Sequence, residues 1–200
     1  MKIGCILLAA GAGSRFGGSK LNTILKDKPI IEYILASLPN EPFHKRIIVA
    51  ANNELLRTGQ RYGFEGVIND RPELGASLSI RMGLEALGPA DACMFCVADQ
   101  PLLQRDTLLH MLEKYEPGTI LTLESGGVTG NPNIFPSVLF EELISLNGDE
   151  AGKTVISRHP DMLRRHTVFD TSQLRDIDTP EHFREVNALL EAEPQRYTEL

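Results

Sequence analysis

The chain is poor in cysteine, in uninterrupted apolar sequence and in positive charge, and each shortage removes a class of function. Three cysteines occur in 200 residues: Cys5, Cys93 and Cys96. Cys93 and Cys96 are spaced as CxxC, but no second CxxC and no nearby histidine pair completes a zinc site. The run Ala92-Cys93-Met94-Phe95-Cys96-Val97-Ala98 is apolar, so both thiols read as small hydrophobes in a buried strand. No apolar run reaches the roughly 18 residues that a membrane span needs. The N-terminal apolar stretch is short and runs straight into glycines, which fits a first core strand better than a signal peptide. Unpaired cysteines without an export signal point to the cytoplasm. Lysine and arginine total 20 against 27 aspartates and glutamates, a net charge of −7. Such a chain is a poor general binder of nucleic acid or anionic membrane. It can hold a phosphate-rich small molecule only where cations and backbone N–H groups cluster. The histidines His44, His110, His159, His166 and His182 are scattered without ligand spacing, and none is assigned catalysis.

What remains is the composition of a globular protein, with 42% hydrophobic and 24% charged residues, and a length suited to one domain. Apolar β-branched runs alternate with amphipathic stretches. Strands are predicted at Ile3 to Ala9, Arg46 to Ala51, Val67 to Asn69, Ala92 to Ala98 and Thr119 to Leu123. Helices are predicted at Pro29 to Leu38, Ala76 to Leu87 and Arg105 to Tyr115. This alternation implies an α/β fold in three layers, a mainly parallel sheet with helices on both faces. Ligands in such sheets sit beyond the carboxyl ends of the strands. After Ser125 the pattern breaks: glycines, Asn131, Pro132 and Pro136 suggest a loop-rich insertion. Helical stretches follow at Val138 to Leu146 and Gly152 to His159, then a short strand near Thr167 to Phe169. A last helix runs from Pro180 to about Glu191, and Glu193 to Leu200 read as frayed.

The loop after the first strand, Leu8-Ala9-Ala10-Gly11-Ala12-Gly13-Ser14-Arg15-Phe16-Gly17-Gly18-Ser19-Lys20, carries the chemistry. Its glycines let the backbone approach a ligand, and consecutive N–H groups in such a turn form an anion-binding concavity. Arg15 and Lys20 add the cations that grip a polyphosphate. The loop is not a P-loop. Gly13 to Gly18 has the right spacing, but Ser19-Lys20 reverses the required Lys-Ser/Thr order. Nor is it a dinucleotide fingerprint. The glycines are spaced Gly11-x-Gly13-xxx-Gly17, and strand two ends in Ala51-Asn52-Asn53 without an acid for a ribose.

LAAGxGxRxGxxK after an N-terminal strand resembles the MobA-like NTP transferases of molybdenum-cofactor maturation, most closely their cytidylyltransferase branch. Further motifs come in the family's order. Gly75-Ala76-Ser77-Leu78-Ser79 resembles its nucleotide-contacting segment, and Ala98-Asp99-Gln100-Pro101-Leu102 its metal-binding motif. Gly130-Asn131-Pro132 and Gly148-Asp149 with Lys153 resemble its next two segments, and Asp176-Ile177-Asp178-Thr179-Pro180 its C-terminal motif. Gly148-Asp149-Glu150-Ala151-Gly152-Lys153 departs from the family's GDxGAR arrangement.

The resemblance implies a nucleotide-diphospho-sugar transferase-like, Rossmann-like fold and one nucleotidyltransferase domain over 1–200. The nucleotide part covers about 1–125 and the acceptor-side part about 126–200. It implies catalytic roles for Arg15, Lys20 and Asp99. It places the nucleotide on Ala9, Ala10, Gly11, Gly13, Arg15, Lys20, Gly75, Ser77 and Ser79, and the acceptor on Asn131 and Asp149. Mg²⁺ is expected on Asp99 and Asp178, although Asp178, just before Thr179-Pro180 and a helix, also suits a capping role. In the family, alanine at the position of Ala10 accompanies CTP and glycine GTP. The implied reaction moves CMP from CTP to the terminal phosphate of a molybdopterin-type acceptor, with transient contact to a molybdoenzyme. A sugar- or polyol-phosphate acceptor is the alternative within enzymes. A non-catalytic cofactor-binding accessory protein for a molybdenum hydroxylase is the alternative outside them.

Overall fold

The computed structural model describes residues 1–11, 16 and 20–192. In chain order its elements are β1 (Ile3–Ala9), the two-residue strands β2 (Ile24–Leu25) and β3 (Lys28–Pro29), α1 (Ile30–Ser37) and β4 (Lys45–Ala50). Then come α2 (Asn53–Arg61), β5 (Glu65–Ile68), α3 (Ala76–Leu87), β6 (Ala92–Val97), α4 (Arg105–Lys114) and β7 (Ile120–Ser125). The remainder is β8 (Val128–Pro136), α5 (Phe140–Ile144), α6 (Gly152–Arg158), β9 (Leu163–Thr167) and α7 (Pro180–Ala192). Seven strands form one sheet in the order β5-β4-β1-β6-β8-β7-β9. All pairings are parallel except those of β8, which runs against both β6 and β7. The expected three-layer, mainly parallel architecture is present.

Successive side chains of a strand point to opposite faces, and β1 buries both. Cys5, Leu7 and Ala9 join a core with Ile30 and Ile34 of α1, Leu55 of α2, Leu108 of α4 and Val186 of α7. Ile6 and the following Ala10 join a second core with Ile80 and Leu84 of α3, Leu143 of α5 and Val155 of α6. Burial on both faces is why β1 reads as an unbroken apolar run. The same alternation disposes of the CxxC. Cys93 faces the second core and Cys96 the first, so the pair cannot close on one ligand. All three cysteines are free and buried. Burial pushes the Cys93 thiol well up, and a hydrogen bond with Cys5 together with burial does the same for Cys96, so both stay protonated. No helix among the described residues is long and apolar enough to cross a membrane.

Three elements depart from the sequence reading. Helix α2 has only Leu55 and Leu56 as large apolar residues, too few for a visible helical period. Its start is nonetheless specified: the Asn52 side chain accepts from the N–H groups of Glu54 and Leu55, each at 3.0 Å. The larger correction is β8. The segment expected to be a loop-rich insertion is a nine-residue strand placed between β6 and β7. Pro132 survives inside a central strand because the ladder skips it. Thr122 pairs with Asn133 and Leu123 with Gly130, so Asn131 and Pro132 fall in an irregularity where no ladder donor is required. At its far end β8 continues to Pro136 opposite Ala92. The late strand β9 lies a few residues before the expected Thr167 to Phe169, and Phe169 is fully exposed.

Candidate active site

Three chain segments meet beyond the carboxyl ends of β1 and β6. The β1–β6 ladder runs from Ile3 opposite Ala92 to Leu8 opposite Val97, and the Ala98 N–H continues it to the Leu8 carbonyl at 3.0 Å. Lys20, opening a 3-10 turn at Lys20–Asn22, and Asp99, two residues past β6, are thereby neighbours. The third segment is tied to them by the Ile177 N–H, which donates to the Asp99 carbonyl at 3.0 Å. Ile177 is fully buried and anchors Asp176 and Asp178 on either side of it.

The Lys20 ammonium donates to Asp99 Oδ2 at 2.7 Å and to Asp178 Oδ1 at 3.2 Å. Its side chain is 11% exposed, against 22% and 44% for the two carboxylates. Burial works against the ammonium charge, but the Asp99 and Asp178 carboxylates outweigh it, and the Lys20 pKa rises above its ordinary value. Asp178 does not cap the last helix. Thr179 does: its Oγ1 accepts the His182 N–H at 3.2 Å and its carbonyl accepts the Phe183 N–H at 3.0 Å. The Asp178 carboxylate is left to face Lys20.

Asp176 is a different kind of acid. Its Oδ1 is buried without a hydrogen-bond partner, as is Oε1 of Gln100. Burial and then the nearby Asp99 carboxylate push its pKa up to about 6, against a smaller pull downward from the Gln100 amide. Its signal in the sequence is its place at the start of the Asp176-Ile177-Asp178-Thr179-Pro180 motif.

Beside the ion pair opens a recess of about 310 Å³. Leu8, Ala10, Leu21, Pro72 and Val97 form apolar walls, and Lys20, Ser79, Asp99 and Asp149 supply polar groups. Ser79 is held by buried Asn69, whose Nδ2 donates to the serine oxygen at 2.9 Å. With its oxygen already accepting, the hydroxyl retains its own hydrogen for a ligand. Asn69 escaped the sequence reading, which treats it as the end of a strand.

The start of α3 borders the same recess and is closed by a distant loop. Gly75 has φ +90°, and a Cβ there would overlap the Gly148 carbonyl and the Asp149 amide. The Gly148 carbonyl accepts the Ser77 N–H at 3.1 Å, satisfying one of the open donors of the first helical turn. Glu150 secures that loop from the other side, accepting from Asn147 N–H at 3.0 Å and from Arg158 at 3.4 Å.

The structure thus gathers Ala10, Gly11, Lys20, Gly75, Ser79, Asp99 and Asp149 around one recess, with Asp178 joined through Lys20. Ala9 is turned into the core of the opposite face. Ser77 is buried and meets the site through its backbone. Asn131 does not line the recess; its Oδ1 accepts from Asn133 at 2.8 Å within β8. Gly13 and Arg15 lie outside the described residues. The carboxylate pair fits a hard divalent cation, because two oxygens already converge on one cationic atom. No cage of three or more His, Cys, Asp or Glu side chains occurs among the described residues.

A profile of the MobA-like NTP transferase domain matches residues 5–163. The 2-C-methyl-D-erythritol 4-phosphate cytidylyltransferase of Acidithiobacillus ferrooxidans is 32% identical over 125 residues, covering 56% of this chain and 53% of that protein. A probable molybdenum cofactor guanylyltransferase of Thermococcus sibiricus is 26% identical over 117 residues, covering 58% of this chain and 57% of that one. The matches span about half the length of these curated relatives. The crystal structure of a Mycobacterium tuberculosis Rv0371c homologue from Mycobacterium sp. strain JC1 superposes with a TM-score of 0.84 at 23% identity, over 96% of this chain and 99% of that chain.

Two outcomes are expected from these contacts. Gly75→Ala should destabilise the fold by on the order of 1–3 kcal/mol, since it adds left-handed strain to the overlap with Gly148. An unchanged denaturation midpoint would show that the Gly148 loop retreats freely. Asp176→Asn should raise the melting temperature of the metal-free protein at pH 8 and change little at pH 3.5. The folded pKa of about 6 lies above the ordinary 3.8, so the folded state binds the extra proton and loses stability as pH rises through that window. Equal effects at both pH values would contradict the assignment.

Proposed function

This chain belongs to the MobA-like NTP transferase family, and on that premise we propose that it transfers CMP from CTP to the terminal phosphate of a molybdopterin-type acceptor. The observation that carries a transfer reaction is the convergence of Lys20, Asp99 and Asp178 at the edge of a partly apolar recess. An acceptor phosphate oxygen attacks the α-phosphorus, the bond from that phosphorus to the bridging oxygen breaks, and pyrophosphate leaves with the electron pair. Such a reaction needs alignment and charge neutralisation more than covalent help from the protein. The apolar walls seat the base and exclude water from it. Ser79, oriented by Asn69, offers a hydroxyl donor. Arg15 and Lys20 offset the charge that gathers on the departing pyrophosphate. Asp99 and Asp178 would hold Mg²⁺, which supplies further neutralisation at the phosphates. Asp149 and Asn131 are assigned to the acceptor side, together with brief contact to the molybdoenzyme that receives the product.

Ala10 supports CTP. It is 3% exposed and lines the recess, so its methyl occupies volume that a larger base would need. The ordered motifs ending in Asp176-Ile177-Asp178-Thr179-Pro180 support the molybdopterin acceptor, as does similarity to the Thermococcus protein. A polyol-phosphate acceptor is the second reading, favoured by the 32% identity to a methylerythritol-phosphate cytidylyltransferase. Labelled CTP supplied with each acceptor separates them. Label transferred only to 2-C-methyl-D-erythritol 4-phosphate would overturn the first reading.

Asp99→Asn should lower pyrophosphate release by about 10²–10³-fold, the usual loss for one electrostatic group at the reacting centre, with the melting temperature nearly unchanged. Full turnover in that variant would remove Asp99 from the chemistry. The unmodified protein should prefer CTP to GTP by at least about tenfold in kcat/KM, within the range a single methyl-sized contact provides. Equal use of both nucleotides would refute the role given to Ala10.

A further inference from the structure

The position of Lys20 bears on how the site fills. Its ammonium is bonded to Asp99 Oδ2 and Asp178 Oδ1, at 2.7 and 3.2 Å, and so already engages the two carboxylates that would hold a divalent ion. We infer that Lys20 is the resident counter-ion of this carboxylate pair, so that a divalent cation enters together with the nucleotide and not ahead of it. The inference rests on the reading of Asp99 and Asp178 as metal-binding carboxylates and adds an order of assembly to it.

Charge arithmetic at the site supports this order. Asp99, Asp178 and Lys20 together leave a single negative charge, with the Asp176 carboxyl beside them. A bare divalent ion entering that space meets the ammonium a few ångströms away, with one oxygen of each carboxylate already engaged by it. A metal–nucleotide complex presents a different balance. The ion arrives with part of its charge offset by phosphate oxygens, and the same phosphates give the ammonium new acceptors.

The mechanics also support it. The two carboxylates are set by backbone: the Asp99 carbonyl accepts the Ile177 N–H, and Asp178 is placed by buried Ile177 on one side and capping Thr179 on the other. The Lys20 backbone is likewise held, its carbonyl accepting the Thr23 N–H at 3.1 Å. Only the four-carbon stem has to swing for the ammonium to leave the carboxylates. Lys20 lines the recess as well, so the phosphates of a bound nucleotide lie within its range.

Titration of Mn²⁺ into nucleotide-free, full-length protein, followed by the loss of the free-ion electron paramagnetic resonance signal, tests this directly. The parent protein should bind Mn²⁺ weakly. Lys20→Met and Lys20→Gln should each bind at least tenfold more tightly, and Lys20→Arg, which keeps the cation, should bind as weakly as the parent. Adding Asp99→Asn to Lys20→Gln should abolish the gain, placing the ion at the carboxylate pair. Melting curves establish that each variant is folded, and two neutral variants guard against the failure of one. Neutral variants that bind Mn²⁺ no better than the parent would overturn the inference, as would a gain that survives Asp99→Asn. Because no nucleotide or acceptor is present, the outcome is independent of whether CTP is turned over.

Discussion

The parallel ladder between β1 and β6 is the constraint on which the site depends. It brings Leu8 opposite Val97, so the chain leaves the sheet twice at adjacent points. One exit carries the glycine-rich loop and Lys20, the other Asp99. Neither residue could find the other without that pairing, since 79 positions separate them. The ladder is stable because β1 and β6 are buried on both faces, with α1, α4 and α7 covering one side and α3, α5 and α6 the other. Rigid strands then aim flexible side chains, the usual division of labour in open α/β sheets.

Around that junction the protein accumulates like charge. Asp99, Asp176 and Asp178 lie near one lysine, and the third acid responds to the crowding with a pKa raised to about 6. A fold selected for stability alone would not bury an unpartnered carboxylate oxygen beside two others. Under the proposed function such crowding has a use, because cations and polyphosphate would arrive there in compensating amounts.

A second junction couples the two halves of the chain. The Gly148 carbonyl closes the first turn of α3, so a loop from the late part of the chain completes a wall contributed by the early part. Gly75 permits the approach by having no Cβ, and Arg158 with Glu150 steadies the loop from outside. Asp149, next to Gly148, is thereby presented to the recess.

Local patterns carried much of this into the sequence. The continuous apolar runs of β1 and β6 announced strands buried on both faces, and Ala76 to Leu87 showed its helical period to the residue. The loop's glycines with Arg15 and Lys20 pointed to phosphate binding, and Asp99 and Asp178 stood out through motifs that resemble the family's. These signals are legible because each depends on neighbours close in the chain. What the sequence could not express was decided by distant contacts. The strand β8 exists because β6 and β7 offer it partners and their ladder tolerates Pro132 at an irregularity. Asn69 matters because α3 brings Ser79 against it. Thr179 takes the cap and leaves Asp178 to the lysine. By itself the sequence determined the chemistry available. The tertiary structure decided which groups touch, because hydrogen bonds and ion pairs between residues far apart in the chain exist only once the sheet has set their separation.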